Sequence, residues 1–394
     1  MTFVAFIFKN LTQRPIRTAL TVLGLSVAVG SMVALMGIAK SFRAAQAASF
    51  EERAVDLVTL RGGDAIQLTS EVPEWVVHEV GKWPEVKAID AALVDMTEMQ
   101  IREPRNADDV PPSKPVIVQA WLPVNFGFGD MDVLEGRKLE AKDEGKYYTM
   151  IGNEFAKSVN KKVGDTVTIS QKKFEVVGVF RTSNFTERGG VLTLLKDYQE
   201  LSGRKGVVTG FSIRVNKTTS DPDAEVEAVR QRIMALTNDK GDSLRLTPQR
   251  PDQYLDNASH LKITAAMAWM VSAIAMLIGV ISMLNTMAMS VLERTQEIGI
   301  LRAIGWPRLR VVQMVIGEAL LLALVAAVFG GAGAVAATHL MSLFPQVSTL
   351  IEPGIAPSVI LYGTGFALLI GLLGGAWPAY RASRLLPTEA LRHD

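Results

Sequence analysis

The sequence predicts an α-helical membrane protein with four transmembrane helices and a large α+β extracytoplasmic domain inserted between helices 1 and 2. Three observations predict it. Four stretches are apolar over about 20 residues, the length that crosses a bilayer. Lysine and arginine are segregated along the chain in a way that alternates with those stretches. The long segment between the first two stretches carries short β-branched runs and helix-start signals.

The first span covers residues 18–39, bracketed by Arg17 and Lys40; the second lies between Lys262 and Glu293 with no charge inside it. The third runs from Val311 to about Ala337 with Glu318 as its only charge, and the fourth falls between Glu352 and Arg381, centred on residues 359–377. A basic lead makes the first span resemble a signal peptide. Its apolar core exceeds the 7–15 residues or so of a signal h-region, so it reads as a retained anchor.

Short cytoplasmic loops accumulate lysine and arginine. Lys9, Arg14 and Arg17 precede the first span; Arg294, Arg302, Arg308 and Arg310 join the second to the third; Arg381, Arg384 and Arg392 follow the fourth. The loop 338–357 has neither residue type. Four spans put the three basic segments on one side, which predicts a bacterial cytoplasmic (inner) membrane protein, multi-pass, with both termini cytoplasmic. Residues 40–262 then lie outside, with 31 Lys/Arg against 34 Asp/Glu, while the cytoplasmic segments carry 10 against 4. The overall charge of +1 gives no signal for nucleic acid, and the lipid membrane is the expected surroundings.

Within the exported segment, strands are expected at 55–60, 116–121, 167–170, 174–180 and 211–215, with a tight hairpin at Lys172-Lys173. A helix starts at Asp221 with Pro222 first, its stripe formed by Val226, Val229, Ile233 and Leu236. A shorter helix starts at Pro73-Glu74. Residues 103–115 have the composition of a long mobile loop, in which 111–115 is either a hook for a carrier protein or a plain insert. Residues 41–53 and 253–260 extend the first two spans outward as a stalk. The resulting divisions are 1–53 (amphipathic N-terminal helix, first span and stalk), 54–252 (exported core) and 253–394 (stalk, remaining spans and cytoplasmic connector).

Cysteine is absent, which excludes disulfides, thiolate metal sites and a cysteine nucleophile. His78, His260, His339 and His393 lack the i, i+4 spacing of a zinc site, so no metal, catalytic or cofactor site is expected. No G-x-x-x-x-G-K-[ST] run occurs, so ATP hydrolysis is not expected of this chain. The most informative stretch is 290–306, SVLERTQEIGILRAIGW. Glu293 and Glu297 lie one helical turn apart, as do Ile298 and Arg302, and Gly305 with Pro307 ends the helix. It reads either as a charged connector or as an amphipathic helix that docks in a partner's groove and moves two spans together. Glu318, a carboxylate inside a span, is the other singular residue; it either pairs with a nearby arginine or relays protons.

The run 289–305 resembles the signature of the MacB/FtsX-like permeases of ABC systems. Residues 14–24 resemble the start of their first span, and Gly374-Gly375-Ala376-Trp377-Pro378-Ala379 with Arg381, Pro387 and Arg392 their C-terminal close. Lys162-Val163-Gly164-Asp165 and Val176-Val177-Gly178-Val179-Phe180 are similar to segments of their exported domains. The resemblance implies a permease working as a dimer, a homodimer being expected here. It also implies a MacB-type, LolD-like ATPase subunit that contacts the connector and carries the ATP and magnesium. Carried over, the ATPase-coupling residues are Glu293, Arg294, Glu297, Ile298, Gly299, Leu301, Arg302, Ala303 and Gly305. Only residues 1–17 precede the first span, which implies a separately encoded ATPase, as in LolCDE-like and DevC-like systems. Those residues suit an amphipathic helix on the inner leaflet. Efflux, export or lipoprotein extraction, with a periplasmic adaptor or carrier protein, is the expected work. FtsX-like transmembrane signalling without transport is the alternative.

Overall fold

The computed structural model describes residues 15–62, 69–102, 111–182, 184–344 and 354–386. The N-terminal lead, residues 103–110 and the C-terminal close beyond 386 therefore lie outside the described residues, as does the amphipathic helix expected at the N-terminus. The chain divides into two compact units, one drawn from Met1–Ser41, Thr264–Met341 and Pro353–Asp394, the other from Phe42–Ile263 and Ser342–Glu352.

Four helices among the described residues are long and apolar enough to cross a membrane: Pro15–Glu52, Ser259–Glu293, Arg308–Ser342 and Pro357–Ser383, the first to fourth spans. Each contains the apolar stretch expected for it. Small residues set their packing. A Cβ on Gly371 would lie 2.9 Å from Ala323 Cβ, and one on Gly375 2.8 Å from Ala319 Cβ, so the third and fourth spans touch backbone to backbone. Gly330 meets Ser26 O in the same way and Gly374 meets Met283, which brings in the first and second spans. Gly330, Gly371 and Gly375, which could have served contact with a second copy, are thus occupied within one chain.

The other unit is α+β. Its strands are β1 (Leu57–Arg61), β2 (Val72–Pro73), β3 (Val86–Gln100), β4 (Ser113–Trp121), β5 (Asp132–Gly136), β6 (Tyr148–Gly152), β7 (Thr166–Ile169), β8 (Lys172–Arg181), β9 (Val191–Leu194), β10 (Val207–Val208), β11 (Gly210–Val215) and β12 (Leu246–Gln249). The main sheet runs β12-β1-β11-β3-β4-β9-β6-β8-β5, with β7 bridging β3 and β8. That bridge closes β3, β4, β9, β6, β8 and β7 into a ring of pairings. It is possible because β3 is 15 residues long: Val86–Ala92 pairs with β11, while Met99 and Gln100 at the other end pair with β7. The ring is filled by Leu93, Met99, Val118, Ile151, Phe174 and their buried neighbours.

The five expected strands are present, each within two or three residues of its expected ends. The Asp221 helix is also present: Pro222–Met234, with the Asp221 carboxylate accepting from Ala224 N at 3.1 Å and Val226, Val229 and Ile233 buried. Two expectations are corrected. The hairpin turn is Ser170-Gln171, both at positive φ, and Lys172-Lys173 already belongs to β8. Residues 113–115 are not loop; they open β4, opposite Gln100, Met99 and Glu98.

The stalk segments meet inside this unit. Leu255, Ala258 and Leu261 are buried, with Phe42, Ala47, Phe50 and Tyr254 packed on them. Just past the first helix, Arg53 makes a bidentate pair with Glu187 at 2.8 and 2.6 Å. Its guanidinium lies 5.5 Å from the Trp121 ring. Asp90, close to this pair, is half-buried, with its Oδ1 atom buried and lacking a hydrogen-bond partner. Burial is the chief cause that pushes its carboxyl up to about 7, against the pull of Arg53 and with the repulsion of Glu187.

Candidate coupling site on the connector

The second span stops at Glu293 because Arg294 leaves helical geometry (φ −110°, ψ 20°), and a nine-residue helix, Thr295–Ala303, follows. Its far end is fixed by Gly305 at φ +98°, a conformation that costs glycine little. Trp306 N donates to Leu301 O at 3.1 Å and Gly305 N to Arg302 O at 3.2 Å, the paired bonds of a Schellman close. Arg302 Nη1 donates to Trp306 O at 2.8 Å and ties the cap from the side.

Two devices hold this connector helix to the bundle. Ile298 and Gly299 are buried; Ile298 joins a cluster with Met287, Val291, Val311, Met314 and Ala382, on which Leu301 and Trp306 also rest. The second device is ionic. Arg294 Nη1 donates to Glu318 Oε1 at 2.7 Å and its Nε to Glu297 Oε2 at 3.0 Å. Burial opposes the charge on Arg294, but the Glu318 and Glu297 carboxylates outweigh it and hold the guanidinium pKa above its ordinary value. Glu318 is therefore the buried counter-ion of the connector. Its neighbour at the junction, Glu293, takes both guanidinium nitrogens of Arg17 at 2.6 Å, which links the starts of the first span and the connector.

The opposite face is open. Glu297, Ile300, Ala303, Ile304 and Gly305 are exposed, with Ile300 50% and Ile304 71% accessible. The nine residues singled out in the sequence thus divide. Ile298 and Gly299 are inside, and Arg294, Leu301 and Arg302 are half-buried in the attachment. Glu293 pairs with the first span, and Glu297, Ala303 and Gly305 face outward. Ile300 and Ile304 were missed by sequence reasoning. Both follow Ile298, at +2 and +6, and lie one turn apart from each other on a different face; that spacing was the available signal, and it does not say which face is buried. No group of three or more His, Cys, Asp or Glu side chains that could hold a metal occurs among the described residues.

Comparison with known proteins bears on both units. Residues 18–236 match the MacB-like periplasmic core domain, more than half of the chain, and residues 269–387 match the FtsX-like permease C-terminal family. The chain belongs to the MacB/FtsX-like permeases of ABC transporters. The α+β unit inserted between the first and second spans is accordingly the periplasmic domain, and the chain is a membrane protein.

An uncharacterized ABC transporter permease of Methanocaldococcus jannaschii is 25% identical over 99% of this chain and 98% of its own length. The macrolide export ATP-binding/permease protein MacB of Azoarcus sp. is 27% identical over 96% of this chain, which spans 57% of that relative. The crystal structure of the periplasmic region of MacB from Actinobacillus actinomycetemcomitans matches 52% of this chain and 95% of that one, at 12% identity and a TM-score of 0.41.

Proposed function

We propose that this permease passes the ATP-driven motion of a separate nucleotide-binding subunit to its periplasmic domain, to drive efflux, export or lipoprotein extraction. Support comes from the connector helix, which is clamped from within and bare on its outer side. Ile298 and the Arg294–Glu318 pair make it move with the second and third spans. Glu297, Ile300 and Ile304 offer a mixed apolar and acidic ridge, the surface an amphipathic helix presents to a groove. A force on that ridge reaches the spans because the attachment is buried, not solvated.

In this reading ATP and magnesium belong to the partner, the permease works as a homodimer, and both termini and the connector face the cytoplasm of the inner membrane. The relatives named for macrolide export direct the first substrate trials to large, amphipathic small molecules on the outer face. The deciding experiment is reconstitution of the permease with its co-purifying ATPase. Glu297→Lys reverses the charge on the ridge at an exposed position; it gives up the solvated contact with Arg294 but leaves Ile298 and the Arg294–Glu318 pair in place, so it should abolish stimulation of the ATPase while leaving insertion and folding intact. Normal stimulation by that variant would refute the assignment of the ridge.

A further inference from the structure

The outward face of the fourth span reads as a section through a bilayer interface. Leu369, Leu373, Trp377, Tyr380, Arg381 and Arg384 are all exposed, and their three- and four-residue spacing sets them in one stripe. Along the helix the stripe passes from leucine to aromatic ring to arginine. The cations are held on the rings: Arg381 lies 5.4 Å from the Trp377 centroid and Arg384 4.5 Å from that of Tyr380.

A third pair stands beside them. Arg310, at the start of the third span, lies 5.4 Å from the Trp306 ring. The close approaches of Gly375 to Ala319 and Gly371 to Ala323 run antiparallel, so this pair sits at the same end of the bundle. Among the described residues, no carboxylate pairs with Arg310, Arg381 or Arg384.

A ring under a guanidinium covers its flat face and leaves the N–H edge free. That edge is the part that grips a phosphate with two parallel hydrogen bonds. We propose that this belt binds the phosphate headgroup of an anionic phospholipid, with the acyl chain along Leu369 and Leu373 and the glycerol region beside Trp377 and Tyr380. The gradient along the stripe favours lipid over other occupants. A free phosphate would use the arginines and nothing else. A second copy presenting the same stripe in a two-fold contact would set arginine against arginine. Cations near a helix C-terminus are favoured by the macrodipole alone, but that does not require rings beneath them.

The test uses the full chain, purified in detergent and offered phosphatidylglycerol, phosphatidylcholine or inorganic phosphate. Retained lipid is read by native mass spectrometry and stabilisation by the thermal midpoint. A near-surface cation adds about a factor of five to anionic-lipid binding, so Arg381→Gln with Arg384→Gln should lose about thirtyfold of the phosphatidylglycerol preference. Lys205→Gln, an exposed position in the other unit, should lose none. Arg381→Lys with Arg384→Lys keeps charge but not the fork, and should retain only part of the preference.

Full preference in the lysine variant would mean that charge at the helix end suffices, and would overturn the ring-held fork. Displacement of phosphatidylglycerol by inorganic phosphate would mean an anion site without lipid specificity. Equal retention of phosphatidylglycerol and phosphatidylcholine by the unaltered chain would overturn the proposal with no variant needed.

Discussion

Glu318→Ala tests whether the connector is clamped by its buried ion pair. The side chains of Glu318 and Arg294 are 4% and 14% accessible, so deletion of the carboxylate strands a largely buried guanidinium. Breaking a buried pair costs about 3–5 kcal/mol. The remaining partner, Glu297, is 59% accessible and well screened, and Arg294 can swing toward solvent, which puts the loss near 3 kcal/mol, the lower end of that range. At about 1.4 kcal/mol per decade, undocking of the connector becomes about a hundredfold more frequent.

The chain has no cysteine, so Ile298→Cys supplies a single thiol at a buried position and Ile300→Cys one at an exposed position. Adding Glu318→Ala should speed maleimide labelling of the buried thiol by about a hundredfold, with the Ile300→Cys rate as ceiling. Arg294→Met combined with Glu318→Met removes both charges and should return labelling most of the way to the starting rate. An unchanged rate after Glu318→Ala, or a double variant as fast as the single, would refute the clamp.

The joint behind the first stalk makes a second prediction. Arg53→Leu breaks a pair whose side chains are 13% and 2% accessible, and at about 3–5 kcal/mol should lower the midpoint of the unit that holds it by about 6–20 °C in calorimetry of the full chain. Arg53→Met with Glu187→Leu should lose much less; equal losses would mean that packing, not charge, sets the cost. Asp90 makes the third. Its carboxyl titrates at about 7 in the folded chain against 3.8 ordinarily, so the folded state holds the proton that the unfolded state has released. Stability should therefore fall as pH rises from about 4 to about 7 and level off above. Asp90→Asn should remove that slope, raising the midpoint at pH 8 and hardly at pH 5. A difference from wild type that does not vary with pH would contradict the burial argument.

The four spans and the stripe of Val226, Val229 and Ile233 were legible in the sequence because each rests on one strong local signal, unbroken apolar length for the spans and a helical period for the stripe. β3 was not. Its run Ala-Ile-Asp-Ala-Ala-Leu-Val-Asp-Met has the composition of a helix, and it is extended because β11, β4 and β7 all pair along it. The hairpin turn was misplaced by two residues because Ser170 and Gln171 adopt positive φ without the Asn-Gly that usually marks such a turn. In the connector, the helix and its cap were readable from Glu297, Arg302 and Gly305. Its two faces were not, since isoleucines 298, 300 and 304 look alike until the third and fourth spans bury one of them.

Impermeant thiol labelling of intact cells carrying Gln171→Cys or Ile300→Cys tests most directly whether motion made at the connector must cross a bilayer to reach the α+β unit. Gln171→Cys should react in sealed cells and Ile300→Cys only after the membrane is opened. Reaction of both from one side would contradict a force path that crosses the membrane.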